Sequence, residues 1–228
     1  MEKFTAIVLA AGKGSRMHSD VAKQFLELCG RSVLYYSLMA FEESSVDDII
    51  LVTGAEDIAY CKKEIITKYH FNKVRAVVEG GAERYWSVKN GLQAAHGADY
   101  VLIHDAARPC LTRELIERSI IEVVRSGACT VGVPVKDTIK VVDSQQYGIG
   151  TPDRSTLWQI QTPQSFRYQE IISAYEKMEQ SGDTDITDDT MIIERYLGKK
   201  TKVILGDYSN LKITTPEDLA VAEIFLGK

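Results

Sequence analysis

The chain has 228 residues, of which 45% are hydrophobic and 26% are charged, and its formal net charge is −5 at pH 7. This balance is typical of a globular protein that buries a full core in one large α/β domain or two small ones. The negative charge, without a long basic stripe, argues against nucleic acid as a partner, and no apolar run approaches the roughly 20 residues that a membrane span needs.

The start of the chain and its cysteines bear on the cellular compartment. The first apolar strand begins within a few residues of Met1, which leaves no room for a signal peptide, so we expect a cytoplasmic protein. The four cysteines are scattered and form no CxxC pair. We therefore expect reduced, mostly packing cysteines rather than a disulfide framework or a zinc site.

Apolar, β-branched runs alternate with segments of helical spacing along the first part of the chain. The predicted strands are Ala6–Leu9, Ile49–Thr53, Val74–Val78, Tyr100–His104 and Cys129–Val133. The predicted helices are Val33–Phe41, Ile58–Tyr69, Arg84–Ala95 and Arg113–Arg125. This alternation predicts a single α/β domain over residues 1–228, with a Rossmann-like, mostly parallel sheet and helices on both faces. Ligands of such sheets bind beyond the carboxyl ends of the strands.

The stretch Val135–Trp158 interrupts the alternation, because it is polar and β-like and contains no helical pattern. It predicts a hairpin that projects from the sheet. Two interpretations stay open: a plain surface hairpin, or an arm that crosses to a second subunit and forms a homodimer. Further on, Thr187 is the expected N-cap of a helix, and Thr215 is the expected N-cap of a last helix from Pro216 to about Phe225.

The strongest functional signal follows the first strand, where residues 9–17 read LAAGKGSRM and Lys23 comes shortly after. Small residues let backbone N–H groups approach an anion, and Lys13, Arg16 and Lys23 add positive charge. The segment therefore predicts a phosphate site, with a tight turn bearing solvated basic side chains as the alternative. It is neither a GxxxxGK[ST] loop nor a complete GxGxxG fingerprint, since Met17 replaces the third glycine.

Two later segments at strand ends, GGAERYWSV and HDAARP, carry further candidates. Gly81 and Ser87 could contact a base or a ribose. Asp105 could bind Mg²⁺ or a hydroxyl and Arg108 an anion, with a structural Asp–Arg pair as the alternative. His104 is interpreted as a strand-end residue, because no GxSxG-like nucleophile accompanies it.

Polar side chains of the later part of the chain complete the candidates. Arg154, Thr162 and Lys212 are expected in loops, where such residues gather around phosphates and polyols.

The motifs occur in a fixed order: LAAGxGxRM with KQ, GGxxRxxSV, HDAARP, PVKDTIK, LWxxQTPQxF, TDD and NxKITTPEDL. Together they resemble the methylerythritol phosphate cytidylyltransferase family, a branch of the sugar-phosphate nucleotidyltransferases, from residue 5 to about residue 224. The resemblance implies that a polyol phosphate attacks the α-phosphorus of CTP, with Mg²⁺ as cofactor and pyrophosphate as the second product. It also implies a homodimer formed through the hairpin, with Thr138 and Arg154 serving the partner's site.

The resemblance further implies roles for individual residues. Arg16 and Lys23 would stabilise the transition state, and Arg154 and Lys212 would position the attacking substrate. Contacts to CTP are implied for Ala10, Ala11, Gly12, Gly14, Gly81, Ser87 and Ala106. Contacts to the polyol phosphate are implied for Asp105, Arg108, Thr138, Thr162 and Thr187, with Asp105 also the candidate metal ligand.

The chain departs from the family pattern at two positions. Ala22 stands where a proline is common, which puts the rigidity of the first loop in doubt, and Ala82 stands where an aspartate is common, which puts one ribose contact in doubt. The nearest alternative is a ribitol 5-phosphate cytidylyltransferase. An NAD-dependent oxidoreductase and a non-catalytic nucleotide-binding protein are the alternatives of other classes.

Overall fold

The computed structural model describes residues 2–12 and 21–227 of the chain. The strands are β1 (Phe4–Ala10), β2 (Glu27–Leu28), β3 (Arg31–Ser32), β4 (Asp48–Thr53), β5 (Val74–Glu79), β6 (Tyr100–Asp105), β7 (Ala128–Pro134), β8 (Val141–Val142), β9 (Gly148–Gly150), β10 (Trp158–Arg167) and β11 (Lys202–Leu205). The helices are α1 (Val33–Glu42), α2 (Ile58–Tyr60, continued by a π-helical segment, Cys61–Thr67), α3 (Arg84–Ala94), α4 (Arg113–Ser126), α5 (Tyr168–Ser181), α6 (Asp189–Leu197) and α7 (Pro216–Leu226).

Within the described part of the chain, seven strands form one sheet in the order β11-β7-β10-β6-β1-β4-β5. Neighbouring strands are parallel except at β10, which pairs antiparallel with both β6 and β7. The mostly parallel α/β sheet expected from the alternation is confirmed, and all of the predicted strands are present. The sequence patterns do not predict β10, β11 or α5.

Helices cover both faces of the sheet, as expected, because side chains of successive strand residues point to opposite faces. Along β1, Ala6 and Val8 pack into the cluster that contains Leu38 of α1, whereas Ile7 packs into the cluster that contains Leu92 of α3. All of these side chains are fully buried. Burial of each large one contributes roughly 1.5–3 kcal/mol, so both faces hold the sheet in place.

Helix α3 packs very close to the sheet at Gly91. A methyl group built on Gly91 would lie 2.5 Å from Cγ2 of Ile7 and 3.1 Å from Cγ2 of Val52. Contacts this short exclude a side chain, so only glycine permits this approach of the helix to β1 and β4.

Polar residues fix the starts of several helices. The Thr112 side chain accepts a hydrogen bond from the first turn of α4. Thr215 is the N-cap of α7 and Pro216 is its first residue, as predicted. The prediction for α6 is wrong by one residue, because the carboxylate of Asp188, not the hydroxyl of Thr187, accepts the hydrogen bond from the Met191 N–H at 2.9 Å. The extended backbone of Asp188 directs its side chain over the helix start.

The predicted hairpin is present between β7 and β10. Strands β8 and β9 form a separate two-stranded antiparallel sheet. The hairpin is exposed along almost its whole length. Its base is closed where the Val135 N–H donates to the Leu157 carbonyl at 3.0 Å. We call residues 135–157 the arm.

All four cysteines are free thiols, with Cys29 exposed and Cys61, Cys110 and Cys129 buried. Burial raises the pKa of Cys61 and Cys110 to about 11 and that of Cys129 to about 12. These three thiols therefore stay protonated near neutral pH. No helix in the described part of the chain is long and apolar enough to cross a membrane.

Candidate active site

A cleft of about 720 Å³ opens at the carboxyl edge of the sheet. It is lined by residues 9–12, 22–24, 54–57, 79–84, 87, 105, 107 and 212. Segments after β1, β4, β5 and β6 meet here, because parallel strands end at one edge of a sheet. The volume is in the range of small-molecule sites. Arg16 and Gly14, two of the predicted site residues, lie outside the described residues.

The first loop is held to the sheet by Gln24. The buried Gln24 amide donates to the carbonyl oxygen of Ala10, the last residue of β1, at 2.7 Å. Lys23 precedes it in a short 3-10 turn, and its ammonium donates to the Ile213 carbonyl at 3.2 Å. Gln24 therefore fixes the turn that directs Lys23 towards the cleft. The KQ string by itself does not indicate this function of the glutamine.

The glycine turn after β5 packs against the first loop. A methyl group on Gly80 would lie 2.3 Å from Cβ of Ala11, so the two backbones touch only because this residue is glycine. The Gly81 N–H donates to the Ser87 hydroxyl at 3.0 Å. Ala11, Gly81 and Ser87, all expected around CTP, are thus brought together in the wall of the cleft, beside Gly12.

Asp105 lies at the end of β6 with a cation on each carboxylate oxygen. The Lys212 ammonium lies 2.6 Å from Oδ2, and Nε of Arg84 lies 3.2 Å from Oδ1. Burial alone would raise the pKa of Asp105, but Arg84, Lys212 and Arg108 hold it well below its usual range. Asp105 is therefore a carboxylate at any physiological pH. Arg84 also belongs to the site; it is the arginine of the GGxxRxxSV motif, to which no role was assigned from the sequence.

Arg108 lies behind Asp105 and is almost completely buried. Its Nη1 donates to the carbonyl oxygen of Asn210 at 2.8 Å, while its Nε has no hydrogen-bond partner among the described residues. Burial lowers the pKa of this guanidinium below its usual value, an effect that Asp105 opposes. Ala106, between the two, is fully buried, and its N–H donates to the Leu9 carbonyl at 2.9 Å. This bond ties the HDAARP segment to β1.

His104 is fully buried and its ring is neutral, because burial lowers its pKa to about 3. Its Nε2 lies 3.3 Å from the Arg108 carbonyl oxygen, which can only accept, so Nε2 carries the proton. Its Nδ1 then accepts from the Thr162 hydroxyl at 2.9 Å. The same hydroxyl oxygen accepts from the Asp105 N–H at 3.1 Å. The interpretation of His104 as a strand-end residue agrees with these contacts.

The expectation that Thr162 lies in a loop is wrong. Thr162 is a buried residue inside β10, where the pairing with β7 shifts register between Ile160 and Gln164. Because β10 is antiparallel, its early residues lie at the edge where the parallel strands end. This direction brings Thr162 to Asp105, whereas a parallel strand would place such a residue far from the cleft.

Six of the described predicted site residues do not line the cleft: Ala106, Arg108 and Thr162 are buried next to Asp105, and Thr138, Arg154 and Thr187 are exposed elsewhere. Thr138 and Arg154 are exposed on the arm, where Nη1 of Arg154 donates to the Lys136 carbonyl at 2.9 Å. Thr187 is exposed before α6, and its hydroxyl lies 3.6 Å from the Met191 sulfur. Within this chain, these three side chains therefore lie outside the lining of the cleft.

The described residues contain no group of three or more His, Cys, Asp or Glu side chains that could hold a metal ion. Asp105 offers two carboxylate oxygens in the wall of the cleft, and each keeps a second lone-pair site beside the cation that it already contacts. Mg²⁺ is commonly bound through one or two carboxylates together with substrate phosphates. The donor chemistry thus fits a Mg²⁺ ion that shares Asp105 with phosphate oxygens, and it does not form a cage made of protein groups alone.

Comparison with known proteins agrees with this geometry. The family model described as 2-C-methyl-D-erythritol 4-phosphate cytidylyltransferase (IspD) matches residues 4–228. The protein of that name from Lachnospira eligens is 52% identical over 224 residues, which cover 97% of this chain and 98% of the relative. The one from Lachnoclostridium phytofermentans is 50% identical over 226 residues, covering 99% of this chain and 97% of the relative.

Solved structures give the same result. The crystal structure of 4-diphosphocytidyl-2C-methyl-D-erythritol synthase from Anaerococcus prevotii superposes with a TM-score of 0.87 at 35% identity, covering 100% of this chain and 97% of that one. The 2-C-methyl-D-erythritol 4-phosphate cytidylyltransferase from Thermus thermophilus superposes with a TM-score of 0.79 at 28% identity, covering 97% and 98%.

Proposed function

The chain belongs to the 2-C-methyl-D-erythritol 4-phosphate cytidylyltransferase family, and on this premise we propose how its residues perform the reaction. The protein is a nucleotidyltransferase that joins CTP and 2-C-methyl-D-erythritol 4-phosphate in isoprenoid precursor biosynthesis, giving CDP-methylerythritol and pyrophosphate. Membership of this family excludes the two alternatives of other classes, an NAD-dependent oxidoreductase and a non-catalytic nucleotide-binding protein.

The observation that carries the residue assignment is the convergence of two lysines on one cleft. Lys23 and Lys212 come from opposite ends of the chain and both line it, and the Lys23 ammonium bonds the carbonyl of the residue that follows Lys212. Glycine and alanine backbone lies beside them. This arrangement provides cations and N–H groups to hold a triphosphate and a second phosphate side by side.

The chemistry needs positioned charge more than it needs a base. An oxygen of the acceptor phosphate forms a bond to the α-phosphorus of CTP, and the bond from that phosphorus to the bridging oxygen of pyrophosphate breaks. The attacking phosphate is already ionised near neutral pH, since its second pKa is about 6. The two reactants repel each other, so Lys23 would stabilise the crowded charge and Lys212 would orient the nucleophile. Arg16 is proposed to act with Lys23.

Mg²⁺ is the proposed cofactor. Asp105 would hold it together with phosphate oxygens of CTP, and the ion would neutralise charge on the triphosphate when bound. Chelation with EDTA is expected to abolish turnover, and added Mg²⁺ is expected to restore it. Full activity in EDTA would contradict the proposal.

We also propose that two copies associate through the arm. Its side chains include Val142, Tyr147 and Ile149, which are 51%, 69% and 66% exposed. Apolar surface of this kind marks interfaces. Association would let Thr138 and Arg154 serve the partner's cleft. Ile149→Lys is expected to convert a dimer into a monomer in sedimentation velocity, and a dimer that survives this change would refute the assignment.

A direct assay tests the substrate. Pyrophosphate release from CTP is measured with 2-C-methyl-D-erythritol 4-phosphate and, in parallel, with ribitol 5-phosphate. We expect rapid release with the first acceptor and much slower release with the second. The opposite preference would establish the alternative cytidylyltransferase. The cytoplasmic location stays a prediction, which cell fractionation would test.

A further inference from the structure

An ion pair connects the wall of the cleft to the protein interior. Arg84, the first residue of α3, donates through Nη1 and Nη2 to the two carboxylate oxygens of Asp189 at 3.0 and 2.8 Å. Asp189, the first residue of α6, has no exposed surface. Tyr175 of α5 donates its hydroxyl to Oδ1 of Asp189 at 2.6 Å, and the Asp189 N–H donates to the Gln164 side chain at 2.8 Å. Asp189 is therefore fixed from several sides.

The ion pair continues into the active site. Nε of Arg84 lies 3.2 Å from Oδ1 of Asp105, and the Lys212 ammonium lies 2.6 Å from Oδ2. The four side chains form one row of alternating charge, in the order Asp189, Arg84, Asp105, Lys212. The row joins α6, α3, the end of β6 and the segment before α7, and bonded neighbours in it lie up to 107 positions apart in the chain. Asp189 lies in the interior, whereas Arg84, Asp105 and Lys212 all line the cleft.

The charge of Arg84 is secure. Burial alone would lower the pKa of its guanidinium, but the carboxylates of Asp189 and Asp105 raise it well above its usual value. A planar guanidinium held at both of its outer nitrogens has little freedom to rotate. Its Nε–H therefore points at Asp105 from a fixed position.

We propose that Arg84 is a positioning residue for the reaction: anchored on Asp189, it holds the Asp105 carboxylate, and Asp105 in turn places the Lys212 ammonium for the acceptor phosphate. Without Arg84, both Asp105 oxygens would be available to Lys212. The carboxylate would then turn towards the ammonium and draw it from the substrate. The inference deepens the proposed function and rests on the role given there to Lys212.

The test removes the ion pair as a unit. Arg84→Met alone would leave the buried Asp189 carboxylate unpaired, which destabilises a fold strongly. The double variant Arg84→Met/Asp189→Asn removes both charges together and keeps an oxygen at position 189 for Tyr175. Tyr175→Phe is the matched control, since it removes a buried hydrogen bond to Asp189 and leaves the ion pair intact. Thermal unfolding verifies that each variant is folded.

The measurement is a double-mutant cycle with Lys212→Met, in which kcat and KM are obtained from pyrophosphate release with CTP and 2-C-methyl-D-erythritol 4-phosphate. In the background that contains Lys212, the double variant is expected to lower kcat on the order of 10-fold, less than the 10²- to 10³-fold loss typical of a direct transition-state contact. The KM for CTP should stay within about 2-fold, as expected when ground-state binding is unaffected. In the Lys212→Met background the same double variant should change nothing further.

Several results would overturn the proposal. If kcat is unchanged in the double variant, Arg84 does not position Asp105 and Lys212 for the reaction. An equal decrease in both Lys212 backgrounds shows that Arg84 acts by itself, through a direct contact or through general damage. If Lys212→Met leaves kcat unchanged, Lys212 does not orient the acceptor phosphate, and the inference fails with it. If the double variant does not fold, Asp189→Asn alone applies the same cycle, with a smaller decrease expected.

The proposed function fails separately, because it fails if the wild-type protein does not turn over CTP with this acceptor. In that event the cycle is run with the acceptor that the wild-type protein uses. An equal effect of the double variant in both Lys212 backgrounds then overturns the proposal as before, and a loss confined to the background that contains Lys212 supports it.

Discussion

The buried imidazole of His104 should make the stability of the protein depend on pH in a window where few other groups titrate. Burial lowers its pKa in the folded state to about 3. In the unfolded chain a histidine has a pKa of about 6.5. Asp105 and Arg108 are the charged residues that face it, and they act on its pKa in opposite directions.

The direction in which pH changes the free energy of unfolding follows from the protons that His104 binds in the folded and unfolded states. Between about pH 3 and 6.5 the unfolded chain binds a proton at His104 that the native state excludes, so acid favours unfolding. The contribution to the free energy of unfolding is complete above about pH 6.5 and falls by about 1.4 kcal/mol per pH unit below it. Between pH 7.5 and 5 the loss amounts to about 2 kcal/mol. The depressed pKa of Asp105 adds a loss only below about pH 4, where the unfolded carboxyl titrates.

Urea unfolding followed by circular dichroism at pH 7.5 and pH 5 measures this difference. His104→Gln removes the imidazole and should lose at least about 1.5 kcal/mol less than the wild-type protein over the same interval. His96→Gln is the control, because it removes an imidazole from the surface and leaves the buried one in place. If His104→Gln shows the same loss as the wild-type protein, the burial argument for His104 is refuted.

Four further substitutions test the site and the fold. Lys23→Ala should keep CTP binding, measured by calorimetry, and lose about 10²- to 10³-fold in kcat, and a near-normal kcat would refute its role. Gln24→Leu removes the bond to the end of β1 and should lower kcat while the KM for CTP changes little, whereas unchanged turnover would show that the turn needs no such tie. Asp188→Ala should lower the free energy of unfolding by about 1 kcal/mol through loss of the α6 cap, and a variant as stable as the wild-type protein would contradict the capping assignment. Gly80→Ala forces a methyl group against Cβ of Ala11 and should raise the KM for CTP on the order of 10-fold without unfolding the protein. An unchanged KM would show that the first loop and the glycine turn after β5 separate at no cost.

The sequence predicted the parts of the site that follow from local rules. Asp105 and Gly81 were found because each follows an apolar strand, and parallel strands deliver their ends to one edge. Lys23 was found because it adds charge to a small-residue loop. These inferences needed only the pattern around each residue.

The remaining parts depend on contacts between distant segments. The pairing of Arg84 with Asp189 joins residues 105 positions apart, and no local sequence pattern predicts it. Thr162 was misplaced because the direction of β10 is decided by the return of the chain from the arm. The α6 cap was assigned one residue early because Thr187 and Asp188 both suit the position, and only the backbone conformation distinguishes them.

The close approach at Gly91 has a consequence beyond packing. Ser87 lies one turn before Gly91 on α3, and Arg84 lies at the start of the same helix. Ile7, which a side chain at position 91 would strike, belongs to the strand that leads into the first loop. A methyl group at position 91 would therefore push α3, which carries Arg84 and Ser87, away from the strand that leads into the first loop. The spacing of two elements that line the cleft is thus set in part by a core position that lies outside its lining.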